Sequence, residues 1–188
     1  MPLTNTIIAI AWIAWLVYWT VTAVNTKITQ RRESVASQAT HLLPLGVAAV
    51  LLFYSMPASR WSAKMWPATL LSCWSGALLT VAGILFSVWA RRALGKNWSG
   101  TVTIKQHHEL IISGPYRIVR HPIYTGLILA FLGTAIALGE WRGVLAVAIM
   151  VAAFWRKLQH EERWMLEIFA AQYKDYKARV PALIPALC

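Results

Sequence analysis

Three long segments without a charged side chain limit the folds that are open to this 188-residue chain. Residues 6–24, 42–59 and 67–90 form stretches of 19, 18 and 24 residues that contain no Asp, Glu, Lys or Arg. A helix needs about 20 consecutive apolar residues to cross the hydrocarbon core of a bilayer. With 58% hydrophobic and 13% charged residues, the chain has more apolar sequence than one soluble core requires. The pattern predicts a membrane protein with at least three spanning helices.

The apolar character continues beyond residue 122, where one polar stretch interrupts it. Residues 139–143 read GEWRG, which is too polar for hydrocarbon and has glycines suited to a tight turn. We therefore predict a helical hairpin with spans at about 122–139 and 142–158. The first apolar segment lacks the basic leader of a signal peptide, so we expect it to remain as a span. The whole chain is thus predicted to be one all-α domain, a polytopic bundle of about five transmembrane helices.

Basic residues are distributed unevenly among the connections between these spans. If the amino terminus is outside, fifteen Lys and Arg side chains fall on the cytosolic side and three on the other. The cytosolic group comprises Lys27, Arg31, Arg32, Arg91, Arg92, Lys96, Lys105, Arg117, Arg120, Arg156, Lys157, Arg163, Lys174, Lys177 and Arg179. This asymmetry predicts a multi-pass protein of the plasma, inner or endoplasmic reticulum membrane, with cytosolic regions at 91–121 and 159–188. Topology and anionic lipid also explain the net charge of +11, so we expect no nucleic-acid partner.

Small residues recur at helical spacing on two of the predicted spans. They are Gly76, Thr80, Gly83 and Ser87 on the third span and Gly126, Ala130, Gly133 and Ala137 on the fourth. Such stripes let two helix backbones approach closely in a membrane. The simpler interpretation is helix packing, and the alternative is a groove between the two spans that admits a lipid tail.

A cationic loop punctuated by glycine and proline leads into the fourth span. The sequence GPYRIVRHPIYTG occupies residues 114–126. Pro122 suits the first turn of a helix, because its missing N–H costs nothing there. The remaining amides and the positive end of the helix dipole predict an anion site at this junction, with Arg117 or Arg120 nearby.

The segment after the fifth span predicts an amphipathic helix. On a helix over 158–176, one face carries Leu158, Glu162, Met165, Phe169, Tyr173 and Tyr176, with Glu161 and Ile168 beside it. Two interpretations of Glu161 and Glu162 are open at this point. The carboxylates either neutralise nearby basic side chains through weak helical pairs or bind a cationic ligand.

The last half of the chain resembles a known family through several ordered motifs. These are LGKNWS at 94–99, HELI at 108–111, GPY at 114–116, RHPIYTG at 120–126 and EE at 161–162, followed by Phe169, Tyr173, Tyr176, Val180 and Pro181. In this order they are similar to the integral-membrane isoprenylcysteine carboxyl methyltransferases and their phospholipid N-methyltransferase relatives. The resemblance implies an enzyme with S-adenosyl-L-methionine as cofactor, a cytosolic active site, and a lipophilic or lipid-linked acceptor.

The resemblance also implies which residues contact the two reactants. Around the cofactor these are His108, Glu109, Leu110, Ile111, Tyr116, His121, Pro122, Ile123, Tyr124, Glu161 and Glu162. One turn before the acidic pair, where the family has an arginine that faces substrate, this chain has Lys157 with Arg156 adjacent. We therefore expect Lys157, Arg156 and Arg120 to contact the acceptor, and no metal ion. Ala170 is a second difference, because a glycine usually follows the phenylalanine.

The acceptor itself stays open at this point. A carboxylate of the isoprenylcysteine type is our first expectation, and a phospholipid amine and a small thiol are the alternatives. A carboxylate is already an ionised nucleophile, so its methylation depends on positioning and desolvation more than on a general base. We accordingly assign no catalytic residue.

Two other classes of membrane protein are alternatives to a methyltransferase. A transporter usually has ionisable groups within its spans, whereas Glu140 lies in a predicted turn. A haem-binding membrane protein is the non-enzymatic alternative, since His41, His121 and His160 lie near the same predicted membrane edge.

Overall fold

The computed structural model describes residues 2–24, 27, 29–54, 61–99, 103–105 and 109–185. Within these residues the chain forms five α-helices: α1 (Pro2–Ala23), α2 (Val35–Phe53), α3 (Leu70–Leu94), α4 (Pro122–Leu138) and α5 (Trp141–Arg179). Short 3-10 helices cover Gly95–Asn97 and Gly114–Arg117, and two strands, β1 (Thr29–Arg32) and β2 (Thr103–Lys105), form an antiparallel pair. The architecture is the predicted all-α membrane helical bundle.

Three helices in the described part of the chain are long and apolar enough to cross a membrane: Pro2–Ala23, Val35–Phe53 and Leu70–Asn97. They coincide with the three uncharged segments, although their bounds differ from the predicted ones by one to seven residues. Helix α2 begins seven residues before the predicted span, because the Ser34 side chain caps it by accepting the Ser37 amide. Helix α4 is apolar but shorter, with 17 residues.

Helix α3 continues past the predicted end of the third span at residue 90. Arg91 is buried in its last turn and donates hydrogen bonds to the carbonyl oxygens of Thr22 and Gly95, each at 2.8 Å. Its guanidinium carbon also lies 4.2 Å from the centroid of the Trp98 ring. A basic side chain near a helix C-terminus is favourable, and these partners allow it to be buried.

The predicted turn between the last two spans is confirmed at Gly139. This glycine has a φ of 66° and ends α4 with a hydrogen bond from its amide to the Ala135 carbonyl. The next residue, Glu140, accepts hydrogen bonds from Lys64 at 2.8 Å and from Arg142 at 2.6 Å. Burial alone would raise the pKa of Glu140, but these two bonds outweigh it and hold the pKa below its ordinary value. The carboxylate of the turn is therefore paired within the protein.

Helix α5 joins the predicted fifth span and the predicted amphipathic tail into one element of 39 residues. The predicted face is observed, since Leu158, Glu162, Tyr173 and Tyr176 are buried. Ala170 interrupts the regular helix with a φ of 41° and a ψ of −114°, a conformation that glycine adopts far more readily than alanine. The helix thus kinks at the position where the family pattern has glycine.

Helices α3 and α4 pack so closely that the groove interpretation of their small residues is wrong. A Cβ atom built on Gly126 would lie 2.6 Å from the carbonyl oxygen of Gly83, and one on Gly76 would lie equally close to that of Gly133. The buried Thr80 side chain also hydrogen-bonds across the contact, at 3.3 Å from a carbonyl oxygen of α4. The small residues serve helix packing, and no lipid tail fits between these two faces.

The α1–α2 and α3–α4 connections meet at one end of the bundle, beside the later part of α5. Strand β1 pairs with β2, and the Lys27 amide donates to the Lys96 carbonyl at 2.9 Å. Arg31 forms an ion pair with Glu167 of α5 at 3.0 Å. The strand pair was not predicted, because runs of four and three residues are too short to show a period. Segments that we predicted to share the cytosolic side do lie together.

Candidate functional site

A large cavity of about 1020 Å³ lies among α1, α2, α4 and α5. Its volume is at the upper end of the roughly 300–1,000 Å³ that is usual for ligand pockets. One part, which we call the apolar arm, lies inside the helical bundle. The apolar arm is lined by Ile8, Trp12, Trp15, Leu16, Trp19, Leu45, Leu52, Phe53, Leu127, Phe131 and Phe154.

The other part, the polar end, lies where α4 begins. It is formed by Tyr116, His121, Tyr124, Lys157 and Glu161. These residues come from the second 3-10 helix, the first turn of α4 and the middle of α5. Pro122 occupies the first helical position of α4, as predicted, and sets the direction in which the following side chains leave the loop.

Aromatic rings form a column along the wall of the polar end. The rings of His121 and Tyr124 are stacked with centroids 5.5 Å apart and planes within 3° of parallel. Tyr124 stacks in turn on Phe154, with a centroid distance of 4.5 Å. The Lys157 ammonium nitrogen lies 5.4 Å from the centroid of the Tyr124 ring. The column joins the polar end to the apolar arm and gives the wall a rigid, negatively polarised face.

Glu161 presents its carboxylate to the cavity from α5. The Tyr124 hydroxyl donates to Oε1 of Glu161 at 2.5 Å, and Nδ1 of His121 lies 3.6 Å from Oε2. The side chain of Glu161 is 24% exposed, against 6% for Glu162. Glu161 is therefore a carboxylate that keeps access to a ligand while two neighbours orient it.

Glu162 is instead enclosed by nitrogen-bearing side chains. Arg120 contacts its Oε1 at 2.7 Å, Nε2 of His121 lies 3.1 Å from the same atom, and Lys177 reaches Oε2 at 2.6 Å. Burial acts to raise the pKa of Glu162, but the hydrogen bonds from His121, Lys177 and Arg120 outweigh it and lower the pKa to about 2. Glu162 therefore stays ionised and ties the start of α4 to α5.

The segment after α5 binds the two residues that precede α4. The Arg120 amide donates to the carbonyl oxygen of Pro181 at 2.8 Å, and the His121 amide donates to that of Ala182 at 3.0 Å. Side-chain donors of Arg120 are also engaged, by Glu162 and by the Val180 carbonyl. These two amides are thus satisfied by a neighbouring backbone, whereas the anion site predicted at the first turn of α4 itself stays a prediction.

Two tyrosines of α5 close the polar end from below the second 3-10 helix. The Tyr176 hydroxyl donates to the Tyr116 carbonyl at 2.6 Å. Tyr173 and Tyr176 both line the cavity. Burial raises the pKa of the hydroxyls of Tyr116, Tyr173 and Tyr176, so all three remain protonated at neutral pH.

The structure brings most of the predicted site residues to this cavity. Those that line it are Glu109, Leu110, Ile111, Tyr116, Arg120, His121, Ile123, Tyr124, Lys157 and Glu161. Pro122, Glu162 and Arg156 do not line it, and Arg156 donates to Thr40 on α2 at 2.7 Å. His108 lies outside the described residues.

The first two spans contribute more than topology, which sequence reasoning missed. Trp12, Trp15 and Trp19 line the apolar arm, together with Leu45 and Leu52 of α2. The three tryptophans follow each other at intervals of three and four residues, so they share one face of α1. That spacing in the sequence could have predicted an aromatic wall on α1.

The sequence of this chain also matches a known protein family. Residues 71–172 match the sequence profile of the family described as "Phospholipid methyltransferase". The matched region includes the closely packed helices α3 and α4, the polar end of the cavity and most of α5.

Several characterised proteins are similar to parts of the chain. Protein-S-isoprenylcysteine O-methyltransferase B of Arabidopsis thaliana is 29% identical over 113 residues, 58% of this chain and 57% of that protein. The protein-S-isoprenylcysteine O-methyltransferase of Schizosaccharomyces pombe is 31% identical over 96 residues, 50% and 41% of the two chains. Methanethiol S-methyltransferase 2 of Bradyrhizobium diazoefficiens is 45% identical over 75 residues, 38% and 27% of the two. The chain thus spans about half the length of the first of these relatives and less of the others. Because the profile matches more than half of its residues, the chain belongs to the phospholipid methyltransferase family.

Proposed function

We propose that this protein transfers a methyl group from S-adenosyl-L-methionine to a lipophilic acceptor, most favourably a carboxylate of the isoprenylcysteine type. The observation that carries the proposal is the form of the cavity, which joins a charged end to an apolar arm inside a membrane bundle. In such a cavity a charged donor can stay in the polar end while the hydrocarbon part of an acceptor stays in the apolar arm. The names of the similar proteins support methyl transfer as the reaction class.

The donor set of the polar end fits this cofactor. Its sulfonium and ammonium groups need a carboxylate, which Glu161 offers to the cavity. Its flat base needs aromatic and apolar walls, which Tyr116, Leu110 and Ile111 offer. When bound, the cofactor supplies an electrophilic methyl group. Tyr124 would hold the Glu161 carboxylate in place through its hydroxyl.

Glu162 and Arg156 are assigned supporting roles rather than ligand contacts. Glu162 fixes Arg120 and His121 at the start of α4. Arg156 fixes α2 against α5 through Thr40. Both therefore shape the site without lining it.

Lys157 is the residue that we assign to the acceptor. It lines the cavity, is 6% exposed, and lies one helical turn before Glu161. A buried ammonium group attracts a carboxylate, which needs no base because it is already ionised at neutral pH. The work of the protein is then to exclude water and to align the acceptor with the donor.

The proposal is tested by incubating the purified protein in lipid nanodiscs with isotope-labelled methyl donor and a panel of acceptors. The panel contains N-acetyl-S-farnesylcysteine, phosphatidylethanolamine and methanethiol. We expect a labelled methyl ester of the farnesylcysteine, which releases methanol on treatment with base. Glu161→Gln should lose this product, whereas Glu167→Gln, an exposed carboxylate of the same helix, should keep it. Absence of any labelled product with the parent protein would refute the proposal.

A small thiol is the second candidate acceptor. The relative with the highest identity among those described above is named a methanethiol S-methyltransferase. A thiol must lose its proton before or during transfer, so its methylation would rise with pH in a way that ester formation would not. Labelled dimethyl sulfide in place of a base-labile ester would favour this candidate.

A further inference from the structure

A buried carboxylate and a buried imidazole lie behind the polar end of the cavity. Glu33 precedes α2, and His41 lies in the second turn of that helix. Their side chains are 1% and 3% exposed, and Nε2 of His41 lies 3.4 Å from Oε1 of Glu33. Burial of two ionisable groups is unfavourable unless each has compensating partners. The pair therefore calls for a role that an apolar contact between helices would not fill.

The Glu33 carboxylate is held by the first turn of α2. The Ser37 hydroxyl donates to its Oε2 at 2.8 Å, which leaves Oε1 directed toward His41. The side chain of Gln38 donates to the Glu33 carbonyl at 3.3 Å and fixes the backbone as well. The negative charge is thus placed at a defined point on the inner side of α2.

This point lies at the level of Lys157 on α5. Arg156 donates to Thr40 at 2.7 Å and so fixes the register between the two helices beside His41. His41 follows Thr40 on α2 and Lys157 follows Arg156 on α5, and both are buried, at 2% and 6% exposed, on the inner side of this contact. The pair on α2 therefore faces the charged turn of α5 that supplies the polar end.

Lys157 lines the cavity from the helix whose preceding residue, Arg156, bonds α2. It lines the cavity over the Tyr124 ring, whereas Glu33 and His41 are not among its described lining residues. Any effect of the pair on a ligand must therefore pass through α5. A buried ammonium group requires negative charge nearby, and Glu161, one turn further along α5, lines the same cavity.

We propose that Glu33 and His41 form a positioning pair that holds Lys157 in the orientation in which its ammonium group meets the anionic group of the acceptor. This inference rests on the proposed function, in which Lys157 is the partner of the acceptor. The carboxylate supplies the negative charge on the α2 side, and the imidazole fills the contact between that charge and α5. Neither residue touches the acceptor.

The first test separates use of the acceptor from binding of the donor. Glu33→Gln and His41→Gln are measured in the full chain in lipid nanodiscs, with N-acetyl-S-farnesylcysteine as acceptor. We expect the KM for this acceptor to rise at least five-fold, while the donor Kd from calorimetry changes less than two-fold. Glu167→Gln and His160→Gln remove the same groups from accessible positions of α5 and should leave both constants within two-fold.

The second test reads Lys157 directly and does not depend on activity. Acetylation of Lys157 by acetic anhydride is followed by mass spectrometry, with the more exposed Lys64 as internal reference. We expect at least three-fold faster acetylation of Lys157 in both variants, because the side chain is no longer held. If Glu33→Gln does not fold, Ser37→Ala loosens the carboxylate without removing it and should give a smaller change in the same direction.

The results distinguish this inference from the proposed function. Unchanged acetylation of Lys157 together with an unchanged acceptor KM overturns the positioning pair. An equal rise in donor Kd and acceptor KM also overturns it, since the pair would then act on the whole site. If the parent protein methylates no acceptor, the proposed function fails, and the acetylation rates still decide whether the pair holds Lys157.

Discussion

Two adjacent carboxylates on α5 have different environments, and this difference organises the site at the scale of residues. Glu161 and Glu162 are separated by about 100° around a helix, so they face different neighbours. Glu162 is enclosed by the side chains of Arg120, His121 and Lys177, whereas Glu161 keeps access to the cavity and accepts a hydrogen bond from the Tyr124 hydroxyl. Glu162 therefore ties the start of α4 to α5, and Glu161 is available to a ligand.

Replacement of Glu161 by glutamine should weaken binding of S-adenosyl-L-methionine without unfolding the protein. A charge-assisted hydrogen bond contributes about 1.5 to 3 kcal/mol, so the Kd should rise by a factor of roughly ten or more. Calorimetric titration of the protein in nanodiscs measures the affinity, and a thermal melt checks the fold. Glu167→Gln is the matched control. An unchanged Kd in Glu161→Gln would contradict a contact between Glu161 and the methyl donor, and it would leave this carboxylate only a role in surface charge balance.

Replacement of Lys157 should impair use of the acceptor and spare the donor. We expect Lys157→Ala to raise the acceptor KM about ten-fold or more, since a buried charge partner is lost. Lys157→Arg should retain activity on a carboxylate, because the guanidinium can bind it with two hydrogen bonds. Arg163→Ala is the control, since Arg163 is an exposed basic residue of the same helix that does not line the cavity. Normal methylation by Lys157→Ala would exclude an acceptor held from this position.

At the scale of elements, α5 is the helix on which the other parts of the site depend. Its first half forms one wall of the apolar arm, and its second half carries Glu161, Glu162 and the two tyrosines beneath the second 3-10 helix. The kink at Ala170 lies between the acidic pair and these tyrosines. Tyr173 and Tyr176, which follow the kink, line the cavity together with Glu161, which precedes it.

The kink gives a stability prediction that runs against ordinary helix propensity. Ala170→Gly should raise the free energy of unfolding by about 1 kcal/mol, because a φ of 41° strains alanine and not glycine. Ala171→Gly, one residue further along in regular helix, should lower it by a similar amount. Denaturant unfolding followed by tryptophan fluorescence measures both. Equal destabilisation by the two substitutions would contradict the observed conformation at residue 170.

The buried contacts of Glu162 predict how stability depends on acid. Its pKa falls from an ordinary 4.5 to about 2 in the folded protein, so its contribution is complete above pH 4.5 and lost as the pH falls toward 2. The full contribution is on the order of 3 kcal/mol. Thermal melts between pH 5 and pH 2 should show this loss in the parent protein and in Glu167→Gln. Glu162→Gln should be less stable at pH 5 and show a flatter dependence, and a parallel curve would contradict the assignment.

At the scale of the whole molecule, residue types at the helix ends predicted the helices. They did not predict the hydrogen bonds between backbone groups of segments that are distant in sequence. Pro122 and Gly139 marked both ends of α4, because each residue has a conformational reason to stand at a helix end. The carbonyl oxygens of Pro181 and Ala182 accept hydrogen bonds from backbone amides at the start of α4. Such main-chain contacts do not depend on residue type, so the sequence contains no signal for them. Strand β1 was missed for a similar reason, since its pairing with β2 depends on backbone groups.

The orientation of the molecule in the membrane is predicted from charge alone. The end of the bundle where the basic connections meet should face the cytosol, because positively charged loops are retained there. A reporter enzyme that is active only in the cytosol, fused after Cys188, should therefore be active. The same reporter placed before Pro2 should be inactive. The opposite pattern would invert the predicted topology.

The hydrogen bonds from the Arg120 and His121 amides to the carbonyls of Pro181 and Ala182 have a consequence for biosynthesis. The partners are separated by about 60 residues of sequence, so the start of α4 enters the membrane long before its acceptors leave the ribosome. The earlier spans can pack while translation continues, but this contact cannot form until residue 182 has been released. The polar end of the cavity is therefore the last part of the molecule to assemble, and a nascent chain stalled before residue 181 cannot yet hold this end in its final geometry.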